Sequence, residues 1–190
     1  MSPAGTAVKY VLDAGVSRIT VRAFATGLFS SMGHNPTLAV RGYSGEAAFV
    51  PGNLEQARVR ISVEAASLEV TDDVSQSDRA DIENRTRQDV LETSPYPEIV
   101  FESSQITPNM LSENRYAANV VGNLTLHGVT RSETILAQVT VAGDTLRTGG
   151  EFTLRQTDYG IKLVSVAGGA LKVKDELKIT FDLTARRKEG

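Results

Sequence analysis

The fold is decided by the stretch Leu177-Lys178-Ile179-Thr180-Phe181-Asp182-Leu183-Thr184. Apolar residues occupy every second position, and polar residues occupy the positions between them. Successive side chains of a β-strand point to opposite faces, so a period of two predicts a strand with one buried and one solvated face. Strands of this kind must hide their apolar faces against one another.

The same alternation recurs in other segments along the chain. These are residues 18–22, 38–50, 58–63, 98–103, 116–126, 134–141 and 151–154. Within the second of them, Gly42 and Gly45 predict bends or bulges. Together the segments make about eight antiparallel strands, which can close as a barrel or pack as a two-sheet sandwich. An eight-stranded barrel has an interior that holds either packed side chains or one small ligand.

One short polar α-helix is predicted among the strands, over Ser75–Leu91. The segment is free of proline and glycine and opens with Ser75-Gln76-Ser77-Asp78, which has the form of a capping box. Pro95 follows it, and the residue before a proline disfavours helix. The apolar stripe around Ile82 is thin, so we expect the helix to lie across one opening of a barrel. A short helical turn is also predicted near residues 24–32.

Composition narrows the classes of function. A chain of 190 residues can bury one good-sized core, so we predict a single domain over residues 1–190. The net charge of -3 gives no excess of positive charge of the kind that binds nucleic acid, so no nucleic-acid partner is expected. The absence of cysteine excludes disulfides, thiolate metal sites and cysteine nucleophiles.

Neither an export signal nor a membrane span is predicted. Residues 1–7 lack a basic region followed by an apolar one. No window approaches the roughly 18 consecutive apolar residues that a spanning helix needs. We therefore expect a soluble cytoplasmic protein, although a periplasmic protein whose signal had been removed would look the same.

The sequence contains no pattern typical of catalysis. The two histidines, His34 and His127, are far apart and have no nearby acidic ligands, so no metal site is predicted. No nucleophile elbow is present. We predict a protein that is not an enzyme and needs no cofactor. His127 is interpreted as a partly exposed turn residue, whereas His34 either bonds within its own loop or meets a ligand head group at a barrel mouth.

Two segments resemble signatures of the YceI-like polyisoprenoid-binding family. Tyr96-Pro97-Glu98-Ile99-Val100-Phe101-Glu102-Ser103 matches "YPxIxFxS", and Gly122-Asn123-Leu124-Thr125-Leu126-His127-Gly128-Val129-Thr130 matches "GxLTLxGVT". Tyr10-Val11-Leu12-Asp13 is similar to the opening of the family, and Thr157-Asp158-Tyr159-Gly160-Ile161 is similar to its "DFGI" element. On these residues the chain is identified as a member of that family.

The resemblance implies a lipocalin-like barrel whose tunnel accepts a long isoprenoid, such as a polyprenyl phosphate or a quinone tail. The implied function is binding, sequestration or transport of such an amphipathic lipid. It also implies that His34, Arg79 and Tyr159 lie near the tunnel openings. Together with the inward alternation, it makes the candidate ligand-binding residues Ile19, Val21, Phe24, Phe29, His34, Ile61, Val63, Leu68, Arg79, Ile82, Ile99, Phe101, Phe152, Tyr159 and Ile161.

Three alternatives stay open at this point. Gln156 stands where relatives commonly carry an arginine, which favours a neutral, quinone-like head group over a phosphate. A filled barrel could instead act through exposed apolar patches near Val121 or Leu136, for example as a stress-associated homodimer. An enzyme acting on a bound molecule would need His34 against a carboxylate inside the tunnel.

Overall fold

The computed structural model describes residues 6–27 and 35–188, which are dominated by antiparallel β-strands. In chain order the strands are β1 (Val8–Leu12), β2 (Arg18–Arg22), β3 (Ala25–Thr26), β4 (Thr37–Val40), β5 (Tyr43–Val50), β6 (Asn53–Glu64), β7 (Leu68–Val70), β8 (Glu98–Ser112), β9 (Arg115–Leu126), β10 (Val129–Ala142), β11 (Thr145–Arg155), β12 (Ser165–Val166), β13 (Leu171–Val173) and β14 (Glu176–Arg187). The segments that alternate in the sequence lie within strands, except that residues 38–50 are divided between β4 and β5.

Eight of these strands close into a ring. Their order is β1-β5-β6-β8-β9-β10-β11-β14, and β14 pairs back with β1. The pairings around the ring are antiparallel. Closure pairs the backbone N–H and C=O groups that an open sheet would leave without hydrogen-bond partners at its edges. The predicted all-β, antiparallel, eight-stranded lipocalin-like barrel is confirmed.

At one end of the barrel, the short strands β2, β4 and β7 extend the sheet beyond the ring. There β14 pairs with β2, β2 with β4, and β4 with β7. The sequence predicted one strand over residues 38–50, but the chain is interrupted between β4 and β5 at Arg41-Gly42. A Cβ on Gly42 would lie 2.5 Å from Oε2 of Glu64, so a larger residue there would require the Glu64 side chain to move. The bulge in β5 lies between Ala48 and Val50 and not at Gly45.

The helix α1 (Gln76–Arg85) continues as one π-helical turn over Thr86–Val90, close to the predicted span. The Oγ atom of Ser75 accepts the N–H of Asp78 at 3.0 Å, which confirms the predicted cap. Glu83 Oε1 accepts the N–H of Val70 at 3.0 Å. The helix therefore completes the outer edge of β7 and lies across this end of the barrel.

A small second sheet of β12, β13 and β3 lies at the same end of the barrel. The prediction of a helical turn near residues 24–32 is wrong for Ala25 and Thr26, which pair with Val173 and Lys172 of β13. Pairing with a distant strand overrides the local preference there. The strand β1 was not predicted as a strand; it is only five residues long.

Candidate functional site: an apolar cavity inside the barrel

The barrel encloses a cavity of about 640 Å³. All eight ring strands contribute to its wall, together with β2 and β4, and nearly all of the side chains are aliphatic or aromatic. The volume lies within the range of pockets that hold small-molecule ligands, roughly 300–1,000 Å³. Of the two interiors that the alternation allowed, packed or hollow, the structure has the hollow one.

Small side chains at inward positions leave this space open. Six alanines that are less than a tenth exposed line the cavity: Ala23, Ala47, Ala57, Ala118, Ala137 and Ala185. In a filled barrel of this size, larger side chains from facing positions would meet in the middle. Sequence reasoning missed these alanines because an inward alanine also fits a packed core.

Two phenylalanine rings lie close to the wall over glycines of the neighbouring strands. A Cβ on Gly150 would come within 2.8 Å of Cζ of Phe181. A Cβ on Gly122 would come within 2.7 Å of Cε2 of Phe101. The rings occupy space that side chains would otherwise take, so they add apolar surface while leaving the lumen open.

One end of the cavity is closed by stacked aromatic rings. The ring centroids of Tyr10 and Phe49 are 5.2 Å apart and the ring planes differ by 6°. The Tyr10 hydroxyl donates to the carbonyl oxygen of Gly143 at 3.1 Å, in the turn between β10 and β11. Both aromatic residues are buried. The stack thus forms a plug at the end of the barrel opposite the helix.

The other end is bounded by α1 and the small sheet. Ile82 of α1 contributes apolar surface there, and charged side chains line the cavity beside it. These are Asp78, Asp81 and Arg85 of the helix and Lys172 of β13. The cavity therefore changes from an apolar interior to a charged mouth at this end.

Gln156 is a polar side chain that faces the cavity although it is only 3% exposed. Its Nε2 donates to the carbonyl oxygen of Lys174 at 2.9 Å. The backbone around it is held by Asp175, which accepts from the hydroxyl and the N–H of Thr157 and from Arg155. Those hydrogen bonds, led by the one from the Thr157 hydroxyl, hold the pKa of Asp175 below its usual value.

A hydrogen-bonded network ties the segment after the helix to the barrel. The Tyr159 hydroxyl donates to Oε1 of Glu133 at 2.5 Å. His127 Nδ1 lies 3.2 Å from the Tyr159 carbonyl oxygen, and His127 Nε2 lies 2.5 Å from Oε2 of Glu92. Burial, reinforced by the bond to Glu133, raises the pKa of Tyr159 above its usual value. His127 lies in the turn between β9 and β10 and is half-buried, which agrees with its interpretation as a partly exposed turn residue, although its side chain is only 10% exposed.

Gly128 completes this network on the side of Tyr96. The ring centroids of Tyr96 and His127 are 4.5 Å apart. Gly128 has a φ of 73°, and a Cβ there would lie 2.5 Å from Cε1 of Tyr96. The tyrosine of one sequence signature therefore packs against the histidine and the glycine of the other.

Most of the candidate ligand-binding residues line the cavity. These are Ile19, Val21, Ile61, Val63, Leu68, Ile82, Ile99, Phe101, Phe152 and Ile161. Phe29 and His34 lie outside the described residues. Contact of any of these side chains with a ligand stays a prediction.

Three candidate residues do not line the cavity. Phe24 follows β2 in the outward phase of the alternation, and Arg22 lies 5.6 Å from its ring centroid. Arg79 belongs to the helix that lies across the mouth, but it donates to the carbonyl oxygen of Val70 and so holds α1 to the sheet. Tyr159 is fully buried in the network described above, because its hydroxyl bonds to Glu133 and not to solvent at a mouth.

A comparison with family models places the chain. The model described as "YceI-like domain" matches residues 10–185. The chain belongs to the YceI-like family. The match extends from Tyr10 of the aromatic plug to Ala185 of the cavity wall, so it includes the barrel strands and the helix across the mouth.

Curated relatives of this YceI-like chain are similar over part of its length. A UPF0312 protein of Pseudomonas aeruginosa is 30% identical over 128 residues, which cover 64% of this chain and 61% of the relative. A UPF0312 protein of Vibrio parahaemolyticus is 29% identical over 103 residues, which cover 54% of this chain and 49% of the relative. The chain spans less than two thirds of the length of either relative.

Solved structures share the fold over most of the chain. BcnA of Burkholderia cenocepacia is 21% identical with a TM-score of 0.70, covering 91% of this chain and 98% of that one. A polyisoprenoid binding domain from Saccharophagus degradans is 14% identical with a TM-score of 0.66, covering 94% and 98%. The YceI protein of Campylobacter jejuni is 16% identical with a TM-score of 0.59, covering 79% and 84%. At these identities the likeness shows the barrel fold alone.

Residues 6–27 and 35–188 provide neither a spanning helix nor a metal-binding cluster. No helix there combines the length and the apolar character needed to cross a membrane. The same residues bring together no group of three or more His, Cys, Asp or Glu side chains that could hold a metal ion.

Proposed function

We propose that this YceI-like protein binds a long-chain isoprenoid or a similar amphipathic lipid in its barrel, and sequesters or carries that lipid without chemical change. The proposal rests on one observation: an apolar cavity that is plugged by Tyr10 and Phe49 at one end and charged at the other. Such a space accepts a hydrocarbon tail and leaves a polar head at the mouth.

The energetics favour a long tail over a small apolar molecule. Each methylene that leaves water for an apolar site contributes roughly 0.8 kcal/mol. The wall offers few hydrogen-bonding groups, so recognition inside the barrel depends on shape and apolar area. Affinity is therefore expected to rise with chain length until the tail fills the cavity.

The comparisons support the class of ligand. The neighbour from Saccharophagus degradans is described as a polyisoprenoid binding domain, and its barrel covers 94% of this chain. Family membership and the apolar cavity point the same way. Transport, as distinct from binding, is part of the proposal and depends on whether the lipid can be passed on.

The alternative of a barrel acting through its surface requires an exposed apolar patch near Val121 or Leu136. Leu136 is 55% exposed, but Val121 is half-buried and the cross-strand partner of Leu136 is the polar Asn119. Single exposed apolar residues are ordinary on protein surfaces. This observation does not favour the surface function, and homodimer formation stays a prediction.

The test is mass spectrometry of an organic-solvent extract from protein purified without detergent. We expect a lipid in stoichiometric amount. The emptied protein is then titrated with polyprenols of increasing length, and the affinity should increase and then level off. An empty extract together with no binding at any length would overturn the proposal.

A further inference from the structure

The aromatic plug lies at the end of the barrel opposite the mouth, and only one of its two rings faces the cavity. Phe49 lines the cavity, whereas Tyr10 does not. Both residues are buried. Tyr10 therefore lies behind Phe49, and the Phe49 ring is the surface that the end of a buried tail would meet.

Packed side chains stand behind the Phe49 ring. Tyr10 stacks against it with the ring centroids 5.2 Å apart. Val8 and Val141 pack with the same apolar cluster and, like Tyr10, do not line the cavity. A rotation of Phe49 out of the cavity would have to displace these close-packed neighbours.

Tyr10 is itself held in place from three directions. Its strand β1 pairs with β5 on one side and with β14 on the other, where Tyr10 is opposite Ala47 and Arg187. Its hydroxyl donates to the carbonyl oxygen of Gly143 at 3.1 Å. A backbone that is paired on both sides and a side chain that is bonded at its tip make Tyr10 a fixed support for Phe49.

We propose that Phe49 sets the length of the hydrocarbon tail that the cavity accepts. This role rests on the proposed lipid-binding function and names the residue that selects the tail. A tail that enters from the mouth gains apolar contact until its end reaches Phe49, and further carbons stay outside the cavity. Affinity therefore stops rising at one tail length, and the depth of the cavity sets that length.

The experiment measures the affinity of the whole protein for polyprenols of increasing length and locates the length at which the affinity levels off. In Phe49→Ala this limit should increase by about one isoprene unit, because the ring that is removed has a similar volume. A polyprenol one unit beyond the limit of the unaltered protein should bind the variant about 10-fold more tightly than the next shorter polyprenol. Phe49→Leu removes less volume, so it should fold even if the alanine variant does not, and it should shift the limit in the same direction.

Phe152→Ala is the matched control, because it removes the same ring from the side wall of the cavity. Phe152 lines the cavity but packs against the apolar cluster that contains Leu154 and Ile179, and not against the one that contains Phe49. Its overall affinity should fall while the limiting length stays the same. An equal shift of the limit in both alanine variants would show that total volume decides, and would overturn the assignment to Phe49.

A second measurement follows the end of the tail directly. The chain contains no tryptophan, so Phe49→Trp introduces a single fluorophore at the plug. A bromine atom at the far end of a bound tail should quench its fluorescence, whereas a bromine atom next to the hydroxyl group of the lipid should not. Equal quenching by both lipids, or quenching by the second alone, would contradict a tail that ends at Phe49.

The results distinguish a failure of the Phe49 assignment from a failure of the lipid-binding function. If the unaltered protein binds no polyprenol of any length, the lipid-binding function itself fails. If polyprenols bind but the affinity does not level off, or levels off at the same length in the Phe49 variants, lipid binding stands and the role of Phe49 is overturned.

Discussion

Ala118 of β9 and Ala137 of β10 lie directly opposite each other, and both face the cavity. Their exposed fractions are 3% and 5%, so each methyl group belongs to the interior wall. Two adjacent strands therefore place only methyl groups in the interior at this level of the barrel. The lumen depends on this pair as much as on any large apolar residue.

Ala137→Phe should close the lumen at this level. We expect the affinity for a long-chain lipid to fall at least about 10-fold. The free energy of unfolding should stay the same or rise, because the added ring enters empty space and does not displace packed neighbours. Lipid titration and denaturant unfolding measure the two quantities.

Leu136→Phe is the control for this substitution, since Leu136 is the adjacent residue on the outer face. Its lipid affinity should match that of the unaltered protein. Unchanged binding by Ala137→Phe would mean that the ligand occupies another part of the molecule.

Arg79 should hold α1 in place across the mouth. Its guanidinium donates to the carbonyl oxygens of Val70 and Asp72. Arg79→Leu leaves these groups without their donor, so we expect a loss of about 1–2 kcal/mol in the free energy of unfolding. Amide hydrogen exchange over residues 76–90 should become faster, while exchange in the ring strands changes little.

Arg85→Leu is the comparison on the same helix, because Arg85 forms no ion pair within the described residues. In the lipid-free protein it should leave hydrogen exchange of the helix nearly unchanged. Equal acceleration in both variants would show that the bonds to Val70 and Asp72 do not anchor the helix.

Gly128→Ala should be much more damaging than Gly143→Ala. Both glycines have positive φ, 73° and 57°, so a side chain costs about 1–2 kcal/mol of backbone strain at either. Only at Gly128 would the new Cβ meet Tyr96, whereas nothing lies within 4 Å at Gly143. We expect thermal unfolding to show a clearly larger loss for Gly128→Ala. Similar losses would mean that the contact between Gly128 and Tyr96 adds nothing.

Tyr159 should make the protein lose stability in alkali. Its pKa is raised in the folded state, first by burial and then by Glu133. The stabilisation is complete below the unfolded-state pKa of about 10 and is lost as the pH rises through the folded-state value. The free energy of unfolding should therefore decrease above about pH 10, with a shallower decrease in Tyr159→Phe.

Tyr43 contributes to the slope that persists in Tyr159→Phe, because burial raises its pKa as well. Tyr116→Phe controls for the loss of a tyrosine hydroxyl and should keep the steep decrease. The measurement is denaturant unfolding at a series of pH values between 8 and about 11. Parallel slopes for Tyr159→Phe and Tyr116→Phe would contradict the role given to Tyr159.

Local signals explain why the strands and the helix cap could be predicted. The alternation at Leu177–Thr184 identified a half-buried strand that is observed within β14, and Ser75 was recognised as a cap three residues before Asp78. The break at Arg41-Gly42 could not be located in the same way. At the break, the Arg41 N–H donates to the carbonyl oxygen of Ser67 and the Gly42 carbonyl oxygen accepts from the N–H of Glu64, and both partners are distant in sequence.

The residues of the candidate site also differ in whether the sequence alone could predict them. The sequence identified inward-facing residues such as Ile61 and Phe101, because the alternation within each strand shows which of its side chains share a face. It could not show that Tyr159 is buried against Glu133, since 26 positions separate them in the chain. Nor could it show that Tyr10 stacks against Phe49, because the two residues lie on different strands that are separated in the chain.

The sequence by itself determined antiparallel strands with one apolar face and one capped polar helix, and its resemblance to the YceI-like family indicated that the strands close into a barrel. A period of two and a capping serine act over a few residues, so they can be recognised without knowledge of the fold. Only the tertiary structure decided that the barrel is hollow and that its mouth is charged. The volume of the lumen depends on side chains from eight strands at once, and strand pairing alone brings Ala118 opposite Ala137.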